Sequence, residues 1–152
     1  MKLNSHLAID AFCGSGGLSY GLHKAGFKVC YAFDNDKKAI ESYNRNLGSH
    51  GKLKDAYEIN LKKEIQKLGL SSNQIKLIAG GPPCQGFSLQ RKGSDMDTRN
   101  DLVKVFFNMA FDVGPSFILM ENVLGIKGVR GKSLVNYVKE KCKKYNYFFH
   151  TG

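Results

Sequence analysis

Ile9-Asp10-Ala11-Phe12-Cys13-Gly14-Ser15-Gly16-Gly17 carries the strongest fold signal of the chain. An apolar run over residues 7–12 ends at three glycines, and a segment of helical spacing, residues 18–25, starts directly behind them. A strand that passes through a glycine-rich loop into a helix is the opening unit of a doubly wound α/β sheet. The missing side chains of the loop let a ligand approach the backbone closely.

Working outward, strand-like and helix-like pieces alternate. Gly26 stops the first helix, and residues 28–33 predict a second strand. A helix over 36–47 ends before Gly48. A short third strand is expected at 56–59 and a short helix at 61–68, before Gly69. Residues 75–79 form an apolar strand that runs into Gly80-Gly81-Pro82-Pro83-Cys84-Gln85-Gly86-Phe87-Ser88. An amphipathic helix over 101–111, a buried strand over 117–121 and a basic helix over 132–144 follow, and 147–150 reads as the start of one more strand. This order predicts a mostly parallel, doubly wound sheet, with its sites at the carboxyl ends of the strands. Residues 89–100 make the longest polar loop, and long loops in compact domains are usually functional.

The bulk properties bound the rest. The 152 residues suit one domain with a core, and 42% hydrophobic content excludes a disordered chain. No stretch approaches the roughly 20 apolar residues of a membrane span, and the polar start predicts no signal peptide. The four cysteines, at 13, 30, 84 and 142, lack zinc-like spacing. A thiol-bearing intracellular protein without a metal is therefore expected. The net charge of +10 favours a polyanionic partner such as nucleic acid, against the alternative of a solvated lysine surface.

The glycine loop departs from two nucleotide motifs. G-x-G-x-x-G would need glycine where Ser19 stands, and a P-loop ending at Gly131-Lys132-Ser133 would need glycine at Ile126. Asp34, at the end of the second strand, suits ribose hydroxyls, whereas Asp36 suits the N-cap of the next helix. Glu58, beside Ile59, reads equally as an adenine contact or as a surface acid.

Cys84 sits in a tight loop that presents a thiolate well and buries a side chain poorly. Its ordinary pKa of about 8.5 leaves a few per cent thiolate at neutral pH. A thiolate can add to an electron-poor carbon such as carbon 6 of a pyrimidine, which makes carbon 5 nucleophilic. An acid on ring nitrogen 3 eases the addition. Glu121 ends the strand expected beside that of Cys84, so it can face the thiol, and Asn122 can hold the loop. Cys30 and Cys142 read as packing.

These segments together resemble the DNA (cytosine-5)-methyltransferases. Asp10-Ala11-Phe12-Cys13-Gly14-Ser15-Gly16-Gly17 is similar to the family's D-x-F-x-G-x-G-G motif. Pro83-Cys84-Gln85 is similar to its nucleophile motif, and Glu121-Asn122-Val123 to its E-N-V motif, 37 residues after Cys84. The resemblance implies a fold of the S-adenosylmethionine-dependent, Rossmann-like type. It implies a cofactor pocket of Asp10, Phe12, Cys13, Gly14, Ser15, Gly16, Gly17, Leu18, Asp34, Asn35, Glu58, Ile59, Pro83 and Leu102. Cys84 would be the nucleophile, Glu121 would engage nitrogen 3 and the exocyclic amine, and Gln85, Ser88 and Asn122 would shape the loops. The target cytosine must leave the double-stranded DNA stack to be reached. Arg91, Lys92 and Arg99 would lie near phosphates.

The resemblance further implies a bacterial, restriction-associated enzyme of the cytoplasm and nucleoid. The family's Q-x-R-x-R motif, target-recognition region and last helix are not found in these residues. Residues 1–152 are therefore expected to be an incomplete S-adenosylmethionine-binding catalytic domain without its C-terminal strands. It would be completed by a C-terminal chain or by self-association. The alternatives are a fragment that binds S-adenosylmethionine or DNA without catalysis, a cytosine-5 methyltransferase of RNA, and a dehydrogenase, against which Ser19 argues.

Overall fold

The computed structural model describes residues 6–83, 101–121 and 131–151. Five parallel strands are hydrogen-bonded in the order β3-β2-β1-β4-β5. In chain order they and the helices are β1 (His6–Ala11), α1 (Gly17–Lys24), β2 (Phe27–Asp34), α2 (Lys37–Leu47), β3 (Gly51–Leu53), α3 (Leu61–Lys67), β4 (Ile75–Gly80), α4 (Asp101–Val113), β5 (Phe117–Met120) and α5 (Lys132–Lys144). The expected α/β doubly wound sheet is present.

Side chains of a strand alternate between its faces, and the sequence uses both. Ile9, Ala11, Tyr31, Phe33 and Ile78 face a core built with α3, α4 and α5. Ala8, Val29, Ala32, Leu77 and Ala79 face a smaller core built with Leu22 of α1 and Ile40 and Tyr43 of α2. Burial on both faces explains why β1 and β4 read as continuous apolar runs. No helix among the described residues is long and apolar enough to cross a membrane. None of their His, Cys, Asp and Glu side chains cluster in threes that could hold a metal.

Two elements differ from the sequence expectation. The third strand is not at 56–59 but at Gly51–Leu53, where Gly51 pairs with Ala32. Asn44 fixes this placement: its side chain accepts from Gly51 N–H at 2.9 Å and donates to Gly51 C=O at 3.0 Å. A Cβ on Gly51 would lie 2.7 Å from the Tyr43 ring, so only glycine fits. Residues 55–59 turn instead, because Asp55 accepts the Tyr57 N–H at 2.9 Å through its own side chain.

The second difference is at 147–150, which form no strand. Asn146 takes φ 60°, Tyr147 N–H returns to Cys142 C=O at 2.8 Å and Asn146 N–H to Lys143 C=O at 3.4 Å. That is a Schellman cap with asparagine in the left-handed position. The Tyr147 hydroxyl donates to Pro115 C=O, which ties the tail to the turn before β5.

Candidate active site

Strand register builds the site. Phe33, Ala11, Gly80 and Met120 lie in one row across β2, β1, β4 and β5. The next residues, Asp34, Phe12, Gly81 and Glu121, therefore emerge together at the carboxyl edge. Gly80 is needed for this closeness: a Cβ there would stand 2.5 Å from Ala11 C=O and 2.8 Å from the Phe106 ring.

A cavity of about 320 Å³ opens at this edge. Of the residues singled out from sequence, Phe12, Asp34, Asn35, Pro83 and Leu102 line it. Phe12 has φ 59°, a left-handed conformation rare for a residue with a side chain. Its ring is held between Phe33 and Phe106, with centroids 5.9 and 6.5 Å away. Strain of this kind persists where packing over-determines it, commonly at functional sites.

Asp34 ties the two strand ends together. Its Oδ2 accepts the Gly14 N–H at 2.9 Å and its Oδ1 the Asp36 N–H at 2.9 Å. A carboxylate has about four lone-pair sites, so each oxygen keeps capacity for a ligand hydroxyl. Asp36 caps α2, accepting from Lys38 and Ala39 N–H at 2.8 and 3.1 Å.

Gly14, Ser15, Gly16 and Gly17 form the turn from β1 into α1 and are not in the cavity wall. No side chain caps α1, whose first N–H groups follow Gly16 at φ 100°. Cys13 is buried and its N–H donates to Phe33 C=O at 3.0 Å. Burial, with Asp10 and Asp34 nearby, pushes its thiol far above the ordinary range. Leu18 packs against the α1/α2 core. Asp10 is fully buried beneath the turn, and its Oδ2 accepts from the Ser19 hydroxyl at 2.6 Å. Burial is the main cause that raises it to about 6.

Glu58 is exposed and outside the cavity wall, and Ile59 packs into the α3/α4 core. The cavity wall also includes Lys54, Asp55, Ala56 and Tyr57, with Phe33 and Gly81. Sequence reasoning missed these because it placed a strand where the Asp55 turn stands; the signal was Asp55 itself, a turn former two residues before Tyr57. Glu121 is exposed, and its N–H donates to Gly80 C=O at 3.0 Å. A Cβ on Gly81 would be 3.5 Å from Glu121 Oε2, so this carboxylate stands beside the segment that leads to Cys84. Cys84, Gln85, Ser88, Arg91, Lys92, Arg99 and Asn122 lie outside the described residues.

Comparison with known proteins follows the same lines. The family model for the C-5 cytosine-specific DNA methylase matches residues 7–152. Type II methyltransferase M.AgeI of Thalassovita gelatinovora is 34% identical over 140 residues, covering 91% of this chain and 33% of its own. Type II methyltransferase M.HindV of Haemophilus influenzae is 43% identical over 120 residues, covering 78% and 38%. Among solved structures, a prophage-encoded E. coli protein described as a DNA modification methyltransferase superposes with a TM-score of 0.76 at 34% identity, covering 90% of this chain and 37% of its own. The chain thus spans about a third of the length of these relatives.

Proposed function

The chain belongs to the C-5 cytosine-specific DNA methylase family, and from that premise we propose that it carries the cofactor and nucleophile half of a methyl transfer to carbon 5 of cytosine in DNA. The observation that carries this reading is the shared edge: a cavity walled by Phe12, Asp34, Pro83 and Leu102, with the Glu121 carboxylate beside Gly81.

The wall fits S-adenosylmethionine. Phe12, Phe33, Leu102 and Pro83 offer apolar and aromatic surface to a base, Asp34 offers acceptors to ribose hydroxyls, and the size falls in the range of small-molecule sites. When bound, this cofactor supplies an electrophilic methyl group. The chain's own residues do the rest. Cys84 Sγ, as thiolate, forms a bond to carbon 6 of a flipped cytosine while the Glu121 carboxyl group, in its acid form, gives its proton to nitrogen 3. Carbon 5 would take the methyl group as the methyl–sulfur bond of the sulfonium breaks, with the neutral thioether as leaving group. A base, water in the simplest case, takes the carbon-5 proton, the 5,6 double bond re-forms as the Cys84 thiolate leaves, and the nitrogen-3 proton returns to Glu121. Gln85, Ser88 and Asn122 are proposed to shape the two loops.

DNA as substrate is supported by the family, by the names of the relatives and by the net charge of +10. Arg91, Lys92 and Arg99 are proposed phosphate contacts. The Type II relatives support a role beside a restriction enzyme, in the bacterial cytoplasm. Target recognition is proposed to come from residues other than these 152, whether on the same polypeptide, on a complementing chain or on a second copy. The exposed Phe117 and Leu119 on β5, an edge of the described sheet, suit such a neighbour.

The test is covalent capture on DNA that carries 5-fluorocytosine, with S-adenosylmethionine, in the enzyme completed by its recognition half. Capture by the wild type and none by Cys84→Ser is expected; capture by both would defeat the mechanism. Cofactor binding by calorimetry without transfer in the isolated chain would place it as a binding module until completed.

A further inference from the structure

A buried line of hydrogen bonds runs beneath the glycine turn, on the α1/α2 side of the sheet. Ser19 Oγ donates to Asp10 Oδ2 at 2.6 Å, Ser19 Oγ and Tyr43 Oη are 2.8 Å apart, and Tyr43 Oη and His50 Nε2 are 3.0 Å apart. Asp10, Ser19 and Tyr43 are fully buried, whereas His50 is half-buried and meets the surface. Four elements are linked: β1, α1, α2 and the residue before β3.

Hydrogen counting sets the direction of the line. Each hydroxyl has one hydrogen. Ser19 gives its own to Asp10, so Tyr43 must donate to Ser19, and His50 must offer Nε2–H to Tyr43. All donors then point at an ionised Asp10. The reverse direction needs a proton on Asp10 Oδ2 and a bare Nε2 on His50. With an imidazolium at His50, the two arrangements contain the same number of protons and interconvert by shifting one hydrogen at each link. A proton taken up at the surface can thus neutralise a carboxylate that water does not reach.

The line also carries the turn above it. Gly16 has φ 100°, and a Cβ there would be 3.0 Å from the Tyr43 ring and 2.3 Å from Leu47. The cap of α1 therefore rests on the ring whose hydroxyl holds Ser19, three residues further along the same helix.

We propose that Ser19 and Tyr43 are positioning residues for the cofactor turn, acting through Asp10 and Gly16, and that His50, at the other end of the line, sets the pH at which cofactor affinity falls. This rests on the S-adenosylmethionine reading. Asp10 is faced by Ser19 from α1, Tyr43 from α2, Cys13 in the turn and Asp34 at the end of β2. Its register neighbours, Ala32 and Ala79, carry no charge. His50 is faced by His23 from α1, Tyr43 from α2 and Lys52 from β3. Burial, helped by His23 and Lys52, holds His50 below its ordinary value, while burial holds Asp10 up at about 6. The two ends of the line are thereby drawn toward a common range. The cofactor's sulfonium is a cation, so an ionised Asp10 favours it. As pH falls through about 6, Asp10 becomes neutral and affinity drops.

The experiment measures the Kd of S-adenosylmethionine by calorimetry between pH 5.5 and 8, and amide hydrogen exchange at residues 14–18 in the ligand-free protein. Circular dichroism verifies that each variant is folded. The wild type should bind about fourfold more weakly at pH 5.5 than at pH 7.5, the ratio of ionised Asp10 at the two values. S-adenosylhomocysteine, which lacks the sulfonium charge, should show a flatter profile. Tyr43→Phe keeps the ring and loses only the hydroxyl; it should raise Kd about tenfold at pH 7.5 and speed exchange at Gly16 and Gly17. His50→Gln, which removes the other site of the shared proton, should move the midpoint of the pH profile. Wild-type exchange and wild-type Kd in a folded Tyr43→Phe would overturn the positioning role. An unchanged pH profile in His50→Gln would overturn the pH link. If the wild type binds no S-adenosylmethionine, the cofactor reading falls separately, and the exchange rates alone decide the positioning role.

Discussion

Asp34 Oδ2 accepts the Gly14 backbone N–H at 2.9 Å, across 20 residues of chain. The bond joins the end of β2 to the glycine turn after β1, so one side chain shapes the turn and borders the cavity. Asp34→Ala removes acceptors from both Gly14 and Asp36 N–H. It should cost about 1–3 kcal/mol of stability in urea unfolding and raise the Kd of S-adenosylmethionine by tenfold or more in calorimetry. A variant that binds like wild type would remove Asp34 from the cofactor site.

Tyr57 and Glu58 are neighbours with different surroundings: Tyr57 lines the cavity, and Glu58 does not. Tyr57→Ala should weaken cofactor binding by about tenfold, the order of a lost aromatic contact with a base of about 1–3 kcal/mol. Glu58→Ala should change Kd by less than twofold. The opposite ranking, read from the same titrations, would assign the adenine contact to Glu58.

Three glycines should rank by what surrounds them. Gly14 has φ 50° and nothing within 4 Å of a Cβ, so Gly14→Ala should cost about 1 kcal/mol from the left-handed backbone alone. Gly16→Ala adds contact with Leu47 and Tyr43 and should cost more, about 2–3 kcal/mol. Gly80→Ala meets the Ala11 carbonyl at 2.5 Å, where backbone cannot step aside, and should be at least as damaging. Urea midpoints of the three variants give the order directly.

Asp10 should make the fold less stable as it ionises. Its folded value is raised to about 6 from 3.8, chiefly by burial, and its Oδ1 has no hydrogen-bond partner. A raised carboxyl contributes stability that is complete below the unfolded value and is lost as pH rises through the folded one. Relative to Asp10→Asn, the wild type should lose about 2 kcal/mol between pH 4 and pH 7. Parallel unfolding curves across that range would contradict the burial of this charge.

Several features were legible in residues taken in order. Ile9 to Gly17 contains strand, turn and helix in one stretch, and each piece depends on neighbours close in sequence: apolar continuity, glycine at positive φ, helical spacing behind. The Pro83-Cys84-Gln85 and Glu121-Asn122-Val123 motifs and the family they point to were legible for the same reason, since each is a short local pattern. The capping role of Asp36 was legible too, because a cap is a contact within three residues.

Contacts between residues far apart in the chain arise only when the elements pack. The register row of Phe33, Ala11, Gly80 and Met120 levels four strand ends and so brings Phe12, Asp34, Gly81 and Glu121 to one edge. The third strand lies at Gly51 and not at Ala56 because Asn44, on a different element, holds Gly51 from both sides. Tyr57 enters the cavity as a consequence of that shift. The line from Asp10 to His50 joins four elements that share no motif. Local patterns select conformations residue by residue, whereas register, burial and hydrogen-bond partners are set by which surfaces pack together once the chain has closed on itself.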